Sequence, residues 1–283
     1  MLLDLTQTAL RWRHHRSTWR PMREPFNPAE FTVVPLQSAS VARSFVETHH
    51  YSRSFPVALA SYGLFQRTAR HTTPLVGVAV FSVPIQPRAA NSYGAGPITF
   101  CDLGRFILLD DIGGNAETWF LARALRLLAA EKTTPPALVI AYSDPMPRSD
   151  KAGKLRFAGH FGGIYRDSSG LYLGRTKPRR LFLTETGTII SDRALSKLRT
   201  DDRGAAYAYA TLRSHGAPAR APGEGGAAYV TRALTEGPFR SVRHKGNHIY
   251  AFPLGNHASR RTLRQRLNRD LLLPTHTDRP VAA

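Results

Sequence analysis

The sequence predicts a mixed α/β (α+β) fold: a central mixed sheet flanked by helices, followed by a basic, partly helical extension that carries a β-hairpin. Three observations carry this. Short apolar runs of strand length (31–36, 75–84, 100–109 and 137–142) are separated by stretches with helical spacing. An apolar fraction of 42% is enough for a core, and 10% aromatic residues argue against a disordered chain. After residue 190 the dense strand-and-helix pattern gives way to short helices and a Gly/Pro-rich stretch.

The elements follow in order. Residues 1–30 read as a basic arm, in which Arg11, Arg13, Arg16 and Arg20 flank Trp12 and Trp19. Such an arm either contacts phosphate or packs on the domain as a helix. Residues 31–200 read as the core. Residues 31–36 form a first strand and 39–47 a helix, with Ser38 or Ser40 near its N-cap. Residues 61–65 and 75–84 form a hairpin-like pair around a polar turn, and 100–109 a further strand. The run GGNAE then announces a helix that Asn115 can cap. Leu121, Ala124, Leu125 and Leu128 fall on one face of it, with Arg123 and Arg126 opposite. Pro135–Pro136 stops the segment. Residues 137–142 read as an interior strand, 150–160 as a helix, and 171–173 and 180–183 as the last strands.

Residues 201–283 read as an extension that binds DNA. Helices are expected over 191–200, 202–214 and 227–234, with a flexible linker by composition at 216–226. Residues 240–254 read as a hairpin turning at 245–247. Residues 259–272 read as a helix, with Leu263, Leu267 and Leu271 on one face and Arg260, Arg261, Arg264 and Arg266 mostly elsewhere.

Charge is the outlying quantity. The chain carries 39 Lys and Arg against 20 Asp and Glu, a formal +19. From residue 175 onward, 20 basic against 8 acidic residues account for +12 of it. Such a field attracts polyanions, of which nucleic acid is the commonest in a cell. Removal of residues 216–283 is therefore expected to weaken DNA binding. Cys101 is the single cysteine, so no intrachain disulfide forms, which fits a reducing cytoplasm. No long apolar run marks a signal peptide or a membrane span, so a soluble cytoplasmic chain is expected.

Three constellations can carry chemistry. The first is THHYSRS, residues 48–54, where His50, Tyr51 and Arg53 follow directly on a helix. Imidazole serves as base or ligand near neutral pH. The plain alternative is a polar loop. The second is LGRFILLDDIGGNAETWF, residues 103–120, where a strand runs through a glycine turn into a helix. Free amides at such a helix start favour an anion, which makes Gly113, Gly114 and Asn115 candidates for a pyrophosphate. Arg105 sits among apolar residues and needs an anionic partner: Asp102, Asp144 or a substrate. The alternative is an ordinary helix cap with a structural salt bridge. The third runs from 141 to 176. Asp144 ends an apolar strand, where sheet-based sites present their residues, and His160 and Tyr165 lie close in sequence. Such a trio can hold and move a proton. The alternative is an Asx-turn with a glycine pair.

Taken together, HHYSRS (49–54), LVGVAVFSVP (75–84), DLGRFIL with GGNAETWFLARALRLL (102–128), YSDP (142–145), GHFGGIYRDSSGLYLGRT (159–176) and KGNHIYAFPLG (245–255) resemble the Mom family of phage DNA-modification proteins. The resemblance implies a GNAT-like (N-acetyltransferase-like) fold. It implies transfer of a carbamoylmethyl group to the N6 amine of adenine in duplex DNA, which masks the DNA from restriction endonucleases. It implies functional positions at Arg105, Asp144 and Tyr165, with Thr118 where the family has a Ser-type residue, and it aligns His50 and Tyr51 with a His-Tyr pair that is a candidate iron site. Acetyl-CoA or another acyl- or glycyl-type donor is open, because the Gln/Arg-x-x-Gly-x-Gly/Ala loop of such acyltransferases is absent. Duplex DNA is the expected partner, through His50, Tyr51, Arg53, Lys245, His248, Tyr250, Arg260, Arg261 and Arg264. Two rivals stand beside this reading: an acyltransferase on a small-molecule or protein amine, and a non-catalytic DNA-binding protein of the same fold.

Overall fold

A computed structural model describes residues 8–13, 16–21, 25–67, 72–131 and 134–267. Its N-terminal arm is a β-hairpin, with β1 (Thr8–Arg13) antiparallel to β2 (Arg16–Pro21), so the alternative of a packed helix is corrected. A short 3₁₀ turn, Pro28–Glu30, leads into β3 (Phe31–Pro35). Next comes α1 (Ala39–His49), where the Ser38 hydroxyl accepts from the Ser40 N–H at 3.2 Å as an N-cap should. β4 (Ala58–Gln66) and β5 (Leu75–Ser82) form the expected antiparallel pair.

A one-turn helix, α2 (Ala89–Ser92), precedes β6 (Phe100–Leu108) and α3 (Ala116–Ala129). α3 buries Phe120, Leu121, Ala124 and Leu128, the stripe its spacing predicts. Asn115 precedes this helix but makes no side-chain cap bond, because its φ of 65° is left-handed. A capping side chain reaches the first amides from extended backbone instead.

β7 (Leu138–Ser143) follows. The helix expected over 150–160 is absent. In its place β8 (Arg148–Ser149) and β9 (Leu155–Phe157) pair across a turn. Asp150 accepts the Lys154 N–H at 2.9 Å and Gly153 adopts φ 80°, both of which favour a turn over a helix. The rest of the chain is α4 (Gly163–Asp167), β10 (Leu171–Arg175), β11 (Arg179–Leu183), α5 (Asp192–Arg199), α6 (Ala205–Ser214), α7 (Gly226–Glu236), β12 (Arg240–His244), β13 (His248–Pro253) and α8 (His257–Leu267).

The main sheet has seven strands in the order β10-β13-β7-β6-β5-β4-β3. Its β6–β7 pair is parallel, and every other neighbouring pair is antiparallel. One face packs on α3 and α4 through Tyr62, Phe81, Leu103, Val139 and Phe252. The other packs on α1 through Val78 and Val80, and on α2 and α8 through Ile140, Ile249, Leu263 and Leu267. Leu271, the third leucine of the C-terminal stripe, lies outside the described residues. No described helix is long and apolar enough to cross a membrane.

Residues 240–254 do not form a hairpin. β12 pairs with β11, while β13 inserts between β7 and β10. The physical reason is a clamp at the intervening turn. Gly246 has φ 100°, and a Cβ there would lie 2.0 Å from the Thr176 carbonyl oxygen. The Asn247 N–H also donates to the Thr176 hydroxyl, and the Thr176 N–H to the Asn247 carbonyl, both at 2.9 Å. The turn is therefore held to the β10–β11 connection, and the chain passes from one sheet to the other. A boundary at residue 200 thus leaves an interior strand of the sheet in the extension.

Residues 216–226 make several contacts with the neighbouring helices. Arg220 makes a two-pronged ion pair with Asp201, Glu224 pairs with Arg232, and the Tyr229 hydroxyl donates to the Pro218 carbonyl. These contacts close a small helical unit whose core is Leu195, Leu198, Leu212, Tyr229 and Val230.

Candidate active site

The site forms where β6 and β7 part. Their pairing runs only from Phe100↔Leu138 to Asp102↔Ile140, and beyond it both strands continue without each other. A bulge sits at the same place. Phe81 pairs with Leu103 but Val80 with Arg105, so Gly104 is an extra residue on β6. A Cβ at Gly104 would lie 2.5 Å from the Ser82 hydroxyl oxygen, which explains glycine there. Because directly opposed residues share a face, the bulge places Arg105 on the α1 side, away from the face of Leu103.

Arg105 reaches the residues that follow α1. Its Nε donates to the Ser54 carbonyl at 2.8 Å, one terminal nitrogen to the Ser54 hydroxyl at 2.7 Å, and the other to the Gly104 carbonyl. The expected carboxylate partner is absent. Asp102 accepts instead from the Ile85 N–H at 3.2 Å, and Asp144 is held by other groups. Tyr51 and Tyr165 are the anionic-capable groups felt by Arg105, and burial lowers its pKa. Among the described residues its acceptors are all neutral, and such a guanidinium is suited to an incoming anion.

A chain of rings lies beside the place where the two strands part. His50 lies 4.2 Å from Tyr51 between centroids, Tyr51 4.6 Å from Phe157, Phe157 6.2 Å from His160, and His160 6.4 Å from Tyr165. The Arg148 guanidinium lies over Phe157 at 4.1 Å. Burial, then Arg105 and His160, lower the pKa of His50 to about 3. Burial, with Arg148, lowers that of His160 to about 4 against the attraction of Asp144. Both imidazoles are neutral at physiological pH. Burial raises the Tyr51 and Tyr165 phenols, so both are neutral as well.

Asp144 follows β7 directly. Its Oδ1 accepts from the Met146 N–H and from His244 Nε2, both at 2.9 Å, and its Oδ2 from Arg148. Burial raises its pKa, but the His244 hydrogen bond, the Arg148 charge and the Met146 amide outweigh that and bring it to about 2. The next turn is shaped by Gly162, with φ 75°. A Cβ there would lie 2.6 Å from the Tyr250 ring and 2.8 Å from the Tyr165 ring.

The structure thus brings together His50, Tyr51, Arg105, Asp144, His160 and Tyr165, which the sequence singles out. It adds Arg148, Phe157 and His244. Arg148 stands four residues beyond Asp144 in a Pro-broken stretch, which has no helical spacing to flag it. His244 lies 100 residues away, so no local signal points to it.

The Mom protein family matches this sequence over residues 30–221. The chain belongs to the Mom family. No curated protein and no solved structure matches it. Membership associates this Mom-family chain with DNA modification in phages.

Other expected positions of this Mom-family chain take different roles. The Thr118 hydroxyl donates to the Asn115 carbonyl at 3.0 Å, within the first turn of α3. His248 is buried and bonded to the Tyr172 hydroxyl and to Arg175, and Tyr250 is buried with its hydroxyl donating to the Phe161 carbonyl. Both side chains are about 1% exposed, so neither is presented to DNA in this structure. Arg53 and Lys245 are exposed. Arg260, Arg261 and Arg264 are exposed too, and with Arg126 they line a pocket of about 640 Å³ walled by Leu125, Phe252 and Leu254.

Two implied groups fit poorly. The Gly113–Asn115 start of α3 lacks the Gln/Arg-x-x-Gly-x-Gly/Ala loop that takes the pyrophosphate of coenzyme A in such acyltransferases, and Asn115 stands there in a left-handed conformation. Among the described residues no three His, Cys, Asp or Glu side chains converge as a metal set, and the Arg105 charge beside His50 opposes a cation. No step is assigned to either group.

Proposed function

We propose that this Mom-family protein transfers a carbamoylmethyl-type group to the N6 amine of adenine in duplex DNA, protecting the site from restriction endonucleases. The observation that carries the reading is the cluster where β6 and β7 part: an ionised carboxylate, a neutral imidazole and a guanidinium without a carboxylate partner. The strand order, with a single parallel pair that separates, supports the GNAT-like expectation.

The N6 amine is a weak nucleophile because its lone pair is delocalised into the ring. A base in the duplex stack is out of reach, so the adenine must be extruded into the opening. Tyr51, flanked by His50 and Phe157, supplies aromatic surface beside which the base would lie. Arg105 holds negative charge on the donor. Attack forms an N6–C bond while the donor's leaving group departs with its electron pair. The nitrogen, now cationic, is strongly acidic, so even a weak base can take its proton. Neutral His160 and ionised Asp144 both serve, and the orientation they impose supplies much of the rate.

Mass spectrometry of nucleosides from DNA of cells expressing the protein tests this. A new adenine adduct is expected, and Asp144→Asn should lower its yield about a hundredfold or more. Thioester-dependent acylation of free amines, or tight salt-dependent DNA binding with no adduct, would select one of the two rivals instead.

A further inference from the structure

We infer that His244 is a positioning residue that orients Asp144, so that the chain beyond the family match completes the active site. The inference rests on the reading of Asp144 as a reacting group, and the test below separates the two.

His244 is fully buried, and both of its ring nitrogens are engaged. The Gly246 N–H donates to Nδ1 at 2.9 Å, so Nδ1 carries no proton. The proton is therefore on Nε2, which donates it to Asp144 Oδ1 at 2.9 Å. One tautomer satisfies both contacts, which is how a buried imidazole is fixed. The acceptor side depends on Gly246, whose left-handed backbone and Thr176 contact exclude any other residue.

The delivery is indirect. His244 ends β12, which pairs with β11 in a two-stranded sheet of its own, and Arg179 lies opposite it. The Asp144 carboxylate belongs to the end of β7 in the main sheet. His244 thus ties the two sheets at the reacting carboxylate. The groups that face Asp144 are His244 from β12, Arg148 from β8, the Met146 amide from the following turn, His160 beyond β9 and Tyr51 beyond α1. Of these, His244 and the Met146 amide fix Oδ1. Two donors on Oδ1 and Arg148 on Oδ2 leave a lone pair on Oδ2 for substrate. A carboxylate free to rotate would lose that alignment.

The test uses the full-length protein with His244→Phe, which keeps a ring without a donor, and His244→Gln, whose amide nitrogen can replace Nε2. Melting curves and duplex binding check folding. Two further measurements follow: the pH profile of adenine modification and the titration of the Asp144 carboxyl by carbon NMR. For His244→Phe we expect kcat to fall about tenfold or more, with KM for duplex unchanged. The acid limb of kcat and the Asp144 titration should both move to higher pH, and His244→Gln should restore both. A folded His244→Phe with the wild-type Asp144 titration overturns the inference. So does a folded His244→Gln that restores neither readout, and this second variant decides the matter if the first fails to fold. If the Asp144 titration moves while the modification profile stays in place, the contact stands, and the role of Asp144 in the reaction fails instead.

Discussion

A partly buried and a buried carboxylate in this chain, Asp144 and Asp102, are tuned in opposite directions by their neighbours. Asp144 has two cationic or N–H side-chain partners and a backbone amide, and its pKa sits near 2 against 3.8 for a free group. Its contribution to stability is therefore present above pH 3.8 and is lost as pH falls through 2. Asp144→Asn removes the proton acceptor and leaves Arg148, only 7% exposed, without its ion-pair partner. Modification is expected to drop about a hundredfold or more, with a stability loss on the order of 2–3 kcal/mol read by denaturant unfolding. A variant that modifies DNA at the wild-type rate would remove Asp144 from the proton path.

Asp102 is the reverse case. Burial raises it to about 6, with one backbone N–H opposing, and its Oδ1 has no partner among the described residues. Because the folded pKa exceeds the free value of 3.8, its favourable contribution is complete below pH 3.8 and is lost as pH rises through 6. That difference corresponds to about 3 kcal/mol. The stability of Asp102→Asn relative to wild type should therefore increase between about pH 4 and pH 7.5. Equal unfolding free energies across that range would show that Asp102 is not the group responsible.

At the scale of elements, β13 and α8 separate two roles that composition alone merges. β13 is an interior strand with every side chain buried, so it belongs to the scaffold of the site. Removing residues 216–283 deletes it together with α7 and His244. That truncation should abolish the cooperative melting transition, and any drop in DNA binding would then report unfolding. The basic surface is tested without that ambiguity on α8, where Arg260, Arg261 and Arg264 are exposed. Replacing all three by Gln should leave the melting temperature nearly unchanged. It should also reduce the slope of log K against log salt by about 0.9 for each phosphate that the arginines neutralise in the wild type. An unchanged slope would show that the duplex backbone does not lie on α8.

For the whole molecule, a charge of +19 brings DNA to the surface but does not say where it lies. The α8 pocket adjoins Pro253, which pairs with Leu138 at the start of β7, whereas Asp144 follows the end of that strand. Six strand residues span about 20 Å. A duplex that touches both places must cross that distance, roughly six base pairs at about 3.4 Å each. Affinity should therefore rise with duplex length up to at least that size. A plateau at shorter duplexes, measured by fluorescence anisotropy, would confine DNA to one end of the molecule.

Much of the architecture was legible in the sequence because local chemistry dictates it. Ser38 caps α1, Leu121, Ala124 and Leu128 form the buried stripe of α3, and the apolar run at β7 is an interior strand. The charge imbalance pointed to a polyanion and the ordered words from HHYSRS to KGNHIYAFPLG to the Mom family, and the motif positions Tyr51, Arg105, Asp144, His160 and Tyr165 do meet in one cluster. Only the tertiary structure decided what each of them touches. The Gly104 bulge turns Arg105 to the α1 side and denies it a carboxylate. The Gly246 clamp sends β13 into the main sheet and buries His248 and Tyr250. The same clamp brings His244 to Asp144 across 100 residues. Periodicity and caps are short-range signals. A bulge or a turn held by a distant carbonyl depends on neighbours that meet only once the chain has packed.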